Sequence, residues 1–112
     1  MNAPQLNRRL VLETPIRVAD GSGGFSETWT ALGSLWAEVS ARTGRERAEA
    51  GVLVSSVAYR IVVRGALYAS TGRPKPEQRF REGDREFVIQ AVAERDPEGR
   101  YLTCFATEEV AA

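Results

Sequence analysis

The chain's 112 residues give room for one core, because single domains are commonly built from roughly 100–200 residues and a second would have too little to bury. Apolar residues at 43% and charged residues at 27% favour neither a disordered nor a membrane class, and 15 Lys plus Arg against 15 Asp plus Glu leave no overall field to draw in nucleic acid or an anionic membrane. Histidine is absent and cysteine occurs once, which removes the commonest general acid–base, the commonest metal ligand and any internal disulfide.

Residues 8–19, rich in Leu, Val and Ile, read as a first strand, with Pro15 breaking it or placing it at a sheet edge because proline has no donor N–H. Asp20-Gly21-Ser22-Gly23-Gly24 then predicts a tight reversal into a return strand over 25–32. Gly33-Ser34 interrupts that strand and predicts a bulge or corner, after which Leu35, Ala37, Val39 and Ala41 share one face. Trp29 and Trp36 read as core or rim aromatics, with interface anchors as the alternative.

The pattern changes at residues 42–51, which are charged, contain good helix formers and have glycines near both ends, so one or two helical turns are expected there, marginal alone and either moving or ordered by a partner. Residues 55–64 are a strong strand, with Val57, Tyr59, Ile61 and Val63 on one face and Arg60 and Arg64 on the other. A long exposed connection is expected over 65–78, where Gly, Ser and Pro cluster. The last third reads as a three-stranded meander, 78–81, 85–95 and 100–107, with turns at Glu82-Gly83-Asp84 and Asp96-Pro97-Glu98-Gly99. Residues 1–7 and 108–112 are expected to fray or to order on neighbours. The fold class is therefore mainly β, one domain over 1–112: a small antiparallel β-barrel or sandwich with one short helix and a long loop.

A search for chemistry returns little. The glycine cluster at 21–24 lacks the Gly-Lys-Ser/Thr of a phosphate loop and precedes a strand, the serines have no His or Lys partner in a nucleophile motif, and the Asp residues sit where turns use them. No enzyme activity, cofactor or metal is expected, and Cys104 reads as a small buried hydrophobe. Arg42, Arg45 and Arg47 form one basic segment and Arg73, Lys75, Arg79 and Arg81 another, but Glu46, Glu49, Glu77 and Glu82 dilute both, so any DNA contact is weak and blind to sequence. Arg60, Arg64, Glu38 and Glu94 interrupt the apolar stretches well short of the about 20 residues that cross a bilayer, and the start of the chain is too short in apolar residues for a secretory leader.

Taken in order, several pieces resemble the phage head-tail joining family, the head-completion, adaptor or stopper subunits of tailed phages and gene transfer agents. They are Asp20-Gly21-Ser22-Gly23-Gly24-Phe25 with Trp29, Leu35-Trp36-Ala37-Glu38-Val39, the segment 44–50 around Glu46, and Tyr59-Arg60-Ile61-Val62-Val63-Arg64. Gln78-Arg79-Phe80, Gly83, Phe87-Val88-Ile89-Gln90-Ala91-Val92 and Asp96-Pro97-Glu98-Gly99-Arg100-Tyr101-Leu102 complete the series. The resemblance implies a ring of six or twelve copies between portal or adaptor and tail terminator or tail protein, made in the bacterial cytoplasm and built into the particle neck, where a loop gates the DNA channel and touches packaged double-stranded DNA without specificity. It makes Arg42, Arg45, Glu46, Arg47, Glu49, Arg73, Lys75 and Arg79 the candidate ring and channel-loop contacts. The competing reading is a small β-barrel module for single-stranded nucleic acid, with Tyr59 beside Arg60 or Tyr101 beside Arg100 as stacking sites.

Overall fold

The computed structural model describes residues 3–49 and 52–111, which form six strands: β1 Arg8–Ala19, β2 Phe25–Glu49, β3 Val52–Arg64, β4 Arg79–Glu82, β5 Arg85–Glu94 and β6 Tyr101–Ala111. All pairings are antiparallel and run β1-β2-β3-β6-β5-β4, and β4 pairs back onto β1, so the sheet closes into a barrel. Each strand sends alternate residues inward, as the two-residue period of a strand requires. The resulting core holds Leu10, Leu12, Ala37, Ile61, Val63, Phe80, Phe87, Ile89, Leu102, Cys104 and Ala106, with Leu32, Leu35, Val39, Tyr59 and Val92 packed against it. Phe80 and Phe87 face each other across the β4–β5 ladder and are both fully buried. Burial of each such side chain contributes about 1.5–3 kcal/mol, and Phe80 is the residue through which four-residue β4 enters the core.

The turns follow their sequences. Asp20 Oδ1 accepts from the N–H groups of Ser22 at 2.8 Å and Gly24 at 3.1 Å, while Gly21 and Gly23 take φ of 82° and 84°, conformations that L side chains rarely adopt. Asp96 caps the other hairpin: its Oδ2 accepts from Arg100 N–H at 3.1 Å and its Oδ1 from Tyr101 N–H at 3.0 Å, and the Gly99 N–H donates to the Asp96 carbonyl at 3.0 Å. The expected interruption at Gly33 is a register shift in the β1–β2 ladder between Leu12 and Glu13, and Pro15 lies beyond the last β4 partner of β1, at an edge.

The short helix expected over 42–51 is not formed. Residues 43–49 continue β2 and pair with 52–58 of β3 after a register shift between Ala41 and Thr43, leaving Ala50 and Gly51 outside the described residues. The physical reason lies across the ladder. The 52–58 stretch is rich in Val and Leu and is itself paired to β6 from Val54 onward, so a preformed edge offers every backbone group of 43–49 a cross-strand register, whereas a helix of that length has a costly nucleus and few internal bonds.

Two other segments are more ordered than the sequence led us to expect. The 65–78 connection is only partly exposed: Pro74 is fully buried, and Arg73 and Gln78, each 8% exposed, are nearly so. At the N-terminus, Asn7 N–H donates to the Ala37 carbonyl at 3.1 Å and Gln5 N–H to Glu38 Oε2 at 2.8 Å, and Ala3 shares a groove with Arg95 and Tyr101. Residues 3–7 thus strap the outside of the barrel, and Val62 and Thr103, paired with each other across the β3–β6 ladder, are buried away from the core cluster. Glu108 and the residues to 111 belong to β6; Met1, Asn2 and Ala112 lie outside the described residues.

Candidate assembly surfaces

β2 changes partner at Ala37: before it the strand pairs with β1, after it with β3. Each half therefore has one unpaired side. At one end of the barrel, residues 14–19 and 25–31 extend as a two-stranded arm beyond the last β4 contact at Glu13 and before the first β3 contact at Ala37. At the opposite end, residues 43–49, 52–58 and 108–111 form a three-stranded tongue past the last β5–β6 pair at Thr107. Unpaired strand edges of this kind are templates for pairing with another chain.

The arm is apolar on both faces. Ile16 and Val18 are 41% and 48% exposed on one side, and Phe25 is 64% exposed on the other, where Pro15, Arg17, Glu27, Trp29, Glu77 and Val88 line an open groove of about 850 Å³. The Arg17 guanidinium sits 5.0 Å from the Phe25 ring centroid and that of Arg79 4.0 Å from Trp29, fixing both aromatics. Glu77, on the groove wall, is a non-glycine residue at φ 76°. Elsewhere Trp36 is 55% exposed, and Leu67 and Tyr68, in the 65–78 connection, are both 83% exposed.

Three carboxylate clamps lock the strands behind these surfaces. Glu13, 6% exposed, accepts from Arg79 Nε at 2.7 Å and Arg81 Nε at 2.9 Å, and Arg79 also pairs with Glu86 at 3.1 Å. Burial alone raises the Glu13 pKa, but the two guanidinium bonds outweigh it and hold the carboxyl below its ordinary range. Near the tongue, Arg8 pairs with Glu82, and Arg85 grips Glu108, which also accepts from the Tyr59 hydroxyl at 3.3 Å. Their arginine bonds depress the Glu82 and Glu108 carboxyls.

The candidate contact residues divide accordingly. Arg42 lies exposed at the base of the tongue, 5.1 Å over Phe105, and Arg45, Glu46, Arg47 and Glu49 take their backbone places in the tongue's β2 strand. Arg73 and Lys75 are spent within their own loop: Arg73 Nη1 donates to the Ala66 carbonyl at 3.0 Å, and Lys75 Nζ to the carbonyls of Ser70 at 3.1 Å and Arg73 at 3.2 Å. Arg79 is committed to Glu13, Glu86 and Trp29. Sequence reasoning missed Glu13 and Glu108 as clamp residues; the one available signal was a carboxylate interrupting an otherwise apolar strand. It also missed Leu67 and Tyr68, for which a lone apolar pair in a Gly- and Ser-rich loop was the signal.

With these surfaces in view, the comparisons are decisive: the family model for the phage head completion protein matches residues 1–109. The chain belongs to the phage head completion family. It is 59% identical, with a TM-score of 0.89, to a chain in the virion of a native gene transfer agent particle, covering 98% of this chain and 100% of that one. The solution structure of protein SF1141 from Shigella flexneri 2a shares the fold at 22% identity and a TM-score of 0.65, with 96% of each chain covered. No curated protein matches the chain. The matched family is one of virion structural proteins and not of enzymes.

Proposed function

We propose that this head completion protein is a structural subunit of the head-to-tail junction of a tailed phage or gene transfer agent particle, arranged as a ring between portal and tail. The observation that carries this reading is near-full-length likeness, at 59% identity, to a chain of a gene transfer agent virion. The open edges support it: an arm at one end of the barrel and a tongue at the other give the subunit unpaired surfaces facing both ways, as a piece held between two different neighbours needs. Within the ring, the tongue carrying Arg42, Arg45, Glu46, Arg47 and Glu49 is our candidate for neighbour or channel contact, with any touch on packaged double-stranded DNA electrostatic and indifferent to sequence. Arg73, Lys75 and Arg79 act from behind, shaping the loop and the arm that neighbours meet.

The single-strand binding alternative loses one of its two stacking sites, because Tyr59 packs edge-on against Phe87 with ring centroids 5.1 Å apart. Cryo-electron microscopy of particles from producing cells with and without the gene tests the junction reading. A ring of this chain between portal and tail, with tailless or leaking heads on deletion, is the expected result. Normal tailed particles lacking the chain overturn it.

A further inference from the structure

Leu67 and Tyr68 are the most exposed large apolar side chains of the described residues, each at 83%, yet the loop that carries them is tied down. Ser70 N–H donates to the Leu67 carbonyl at 2.9 Å and Arg73 N–H to that of Ser70 at 3.2 Å, and the buried Arg73 lays its guanidinium 4.2 Å from the Tyr68 ring centroid. Pro74 beneath is fully buried. An apolar pair normally gains little from binding after the entropy of ordering its loop is subtracted; here that ordering is already done, which is how a binding knob is built.

The matching cavity is on the same molecule. The groove between the arm and β5 offers Pro15, Phe25, Trp29 and Val88, with Phe25 64% and Val88 39% exposed and both arm aromatics held by arginines. Knob and groove lie at the same end of the barrel. They are built on different strands: the knob follows Gly65, whose N–H donates to the Arg100 carbonyl beside β6, whereas the groove is walled by β1, three strands from β6 in either direction around the barrel, and by Val88 of β5. A chain's own knob therefore stands away from its own groove. A knob and a receiving groove at different places on one subunit make a head-to-tail contact, the kind that closes into a ring. The charged rims are mixed, with Arg17, Glu27 and Glu77 around the groove and Glu94, Glu98 and Arg73 around the knob, so the contact rests on its apolar residues.

We infer that Leu67 and Tyr68 of one copy seat in the groove lined by Pro15, Phe25, Trp29 and Val88 of the next, and that this contact joins neighbours in the ring. The inference rests on the junction reading for the ring itself, but the residues, the face and the direction of the contact come from this chain.

The test places the photo-crosslinking amino acid p-benzoylphenylalanine at Tyr68 and irradiates assembled particles. The expected product is a dimer of this chain in which the 65–79 tryptic peptide is joined to the 18–42 peptide that holds Phe25 and Trp29. Crosslinks from Tyr68 to a different particle protein, or none although the chain is in the neck, overturn the contact and leave the junction reading intact. Absence of the chain from the particle overturns both. As a second measurement, L67A/Y68A and F25A should each fold with nearly unchanged melting temperature and enter particles at least tenfold less; wild-type incorporation of either variant overturns the contact.

Discussion

Arg85 of β5 grips Glu108 of β6 through two parallel hydrogen bonds, Nε to Oε2 at 2.8 Å and Nη2 to Oε1 at 3.0 Å, just where β6 leaves its last β5 partner and continues into the tongue. The fork geometry is specific to arginine, and Glu108 is buried while Arg85 is nearly half exposed. Removing Arg85 strands a buried carboxylate; solvent screening at the arginine tempers the effect. Arg85→Ala is expected to cost about 1–2 kcal/mol in a urea melt and Arg85→Lys to recover only part of it. A double-mutant cycle with Glu108→Gln checks the pairing, and additive single effects would show the two side chains to be independent.

Acid sensitivity follows from the same clamps. Glu13, Glu82, Glu108 and Asp96 all have folded pKa values depressed below the ordinary ones, by guanidinium partners in the three glutamates and by the backbone N–H groups of Tyr101 and Arg100 in Asp96. The unfolded state therefore takes up protons first as pH falls. The stability these groups contribute is complete above the unfolded carboxylate values of about 4–4.5 and is lost as pH drops through the folded ones. Melting temperatures measured from pH 8 to 3 should be level down to about pH 5 and then fall steeply. A melting temperature that holds or rises below pH 4 would contradict the clamps.

Two glycines separate crowding from backbone strain. A Cβ on Gly65 would lie 2.1 Å from the Gly99 carbonyl oxygen, a backbone atom that cannot swing aside, whereas a Cβ on Gly83 meets nothing within 4 Å and suffers only from φ of 60°. Gly65→Ala is expected to destabilise by more than about 2 kcal/mol and to loosen the 65–78 loop, while Gly83→Ala costs about 1 kcal/mol. Equal effects in chemical denaturation would mean that the Gly65–Arg100 junction is not close-packed.

The single thiol is shielded. Cys104 is fully buried, and burial pushes its pKa up to about 12, so at neutral pH it lacks both the thiolate and the access that alkylation needs. Iodoacetamide labelling of the native protein should proceed only through opening of the barrel, orders of magnitude more slowly than in denaturant. Full labelling within minutes in native buffer would show that β6 opens freely.

Much of this architecture was written in local patterns. Val57, Tyr59, Ile61 and Val63 alternate cleanly, and Asp20 and Asp96 sit where their side chains cap the turns, so strands and hairpins follow from two-residue periodicity and turn chemistry. What escaped depends on distant partners. Residues 43–49 have the composition of a short helix and become strand because 52–58 and β6 stand beside them. Glu13 is bracketed by residues 79 and 81, and Arg73 is buried by a loop closing over the barrel, relations that no window of sequence contains. The exposure of Leu67, Tyr68 and Phe25 likewise depends on how the strands close into a barrel, which no local pattern states.

The arm yields the last prediction. Ile16 and Val18 are about half exposed on a two-stranded extension with both edges free, and an isolated hairpin is at best marginally stable in water. If the arm served only its own fold, making both residues polar would lower stability; if neighbours cover it, assembly would suffer instead. I16S/V18S is expected to melt within about 0.5 kcal/mol of wild type, since exposed side chains away from special features contribute little, and to enter particles at least tenfold less. Quantitative mass spectrometry of purified particles reads the second effect. A large loss of melting temperature with normal incorporation of the folded fraction would assign Ile16 and Val18 to the fold, and the arm would no longer count among the surfaces that join one subunit to another.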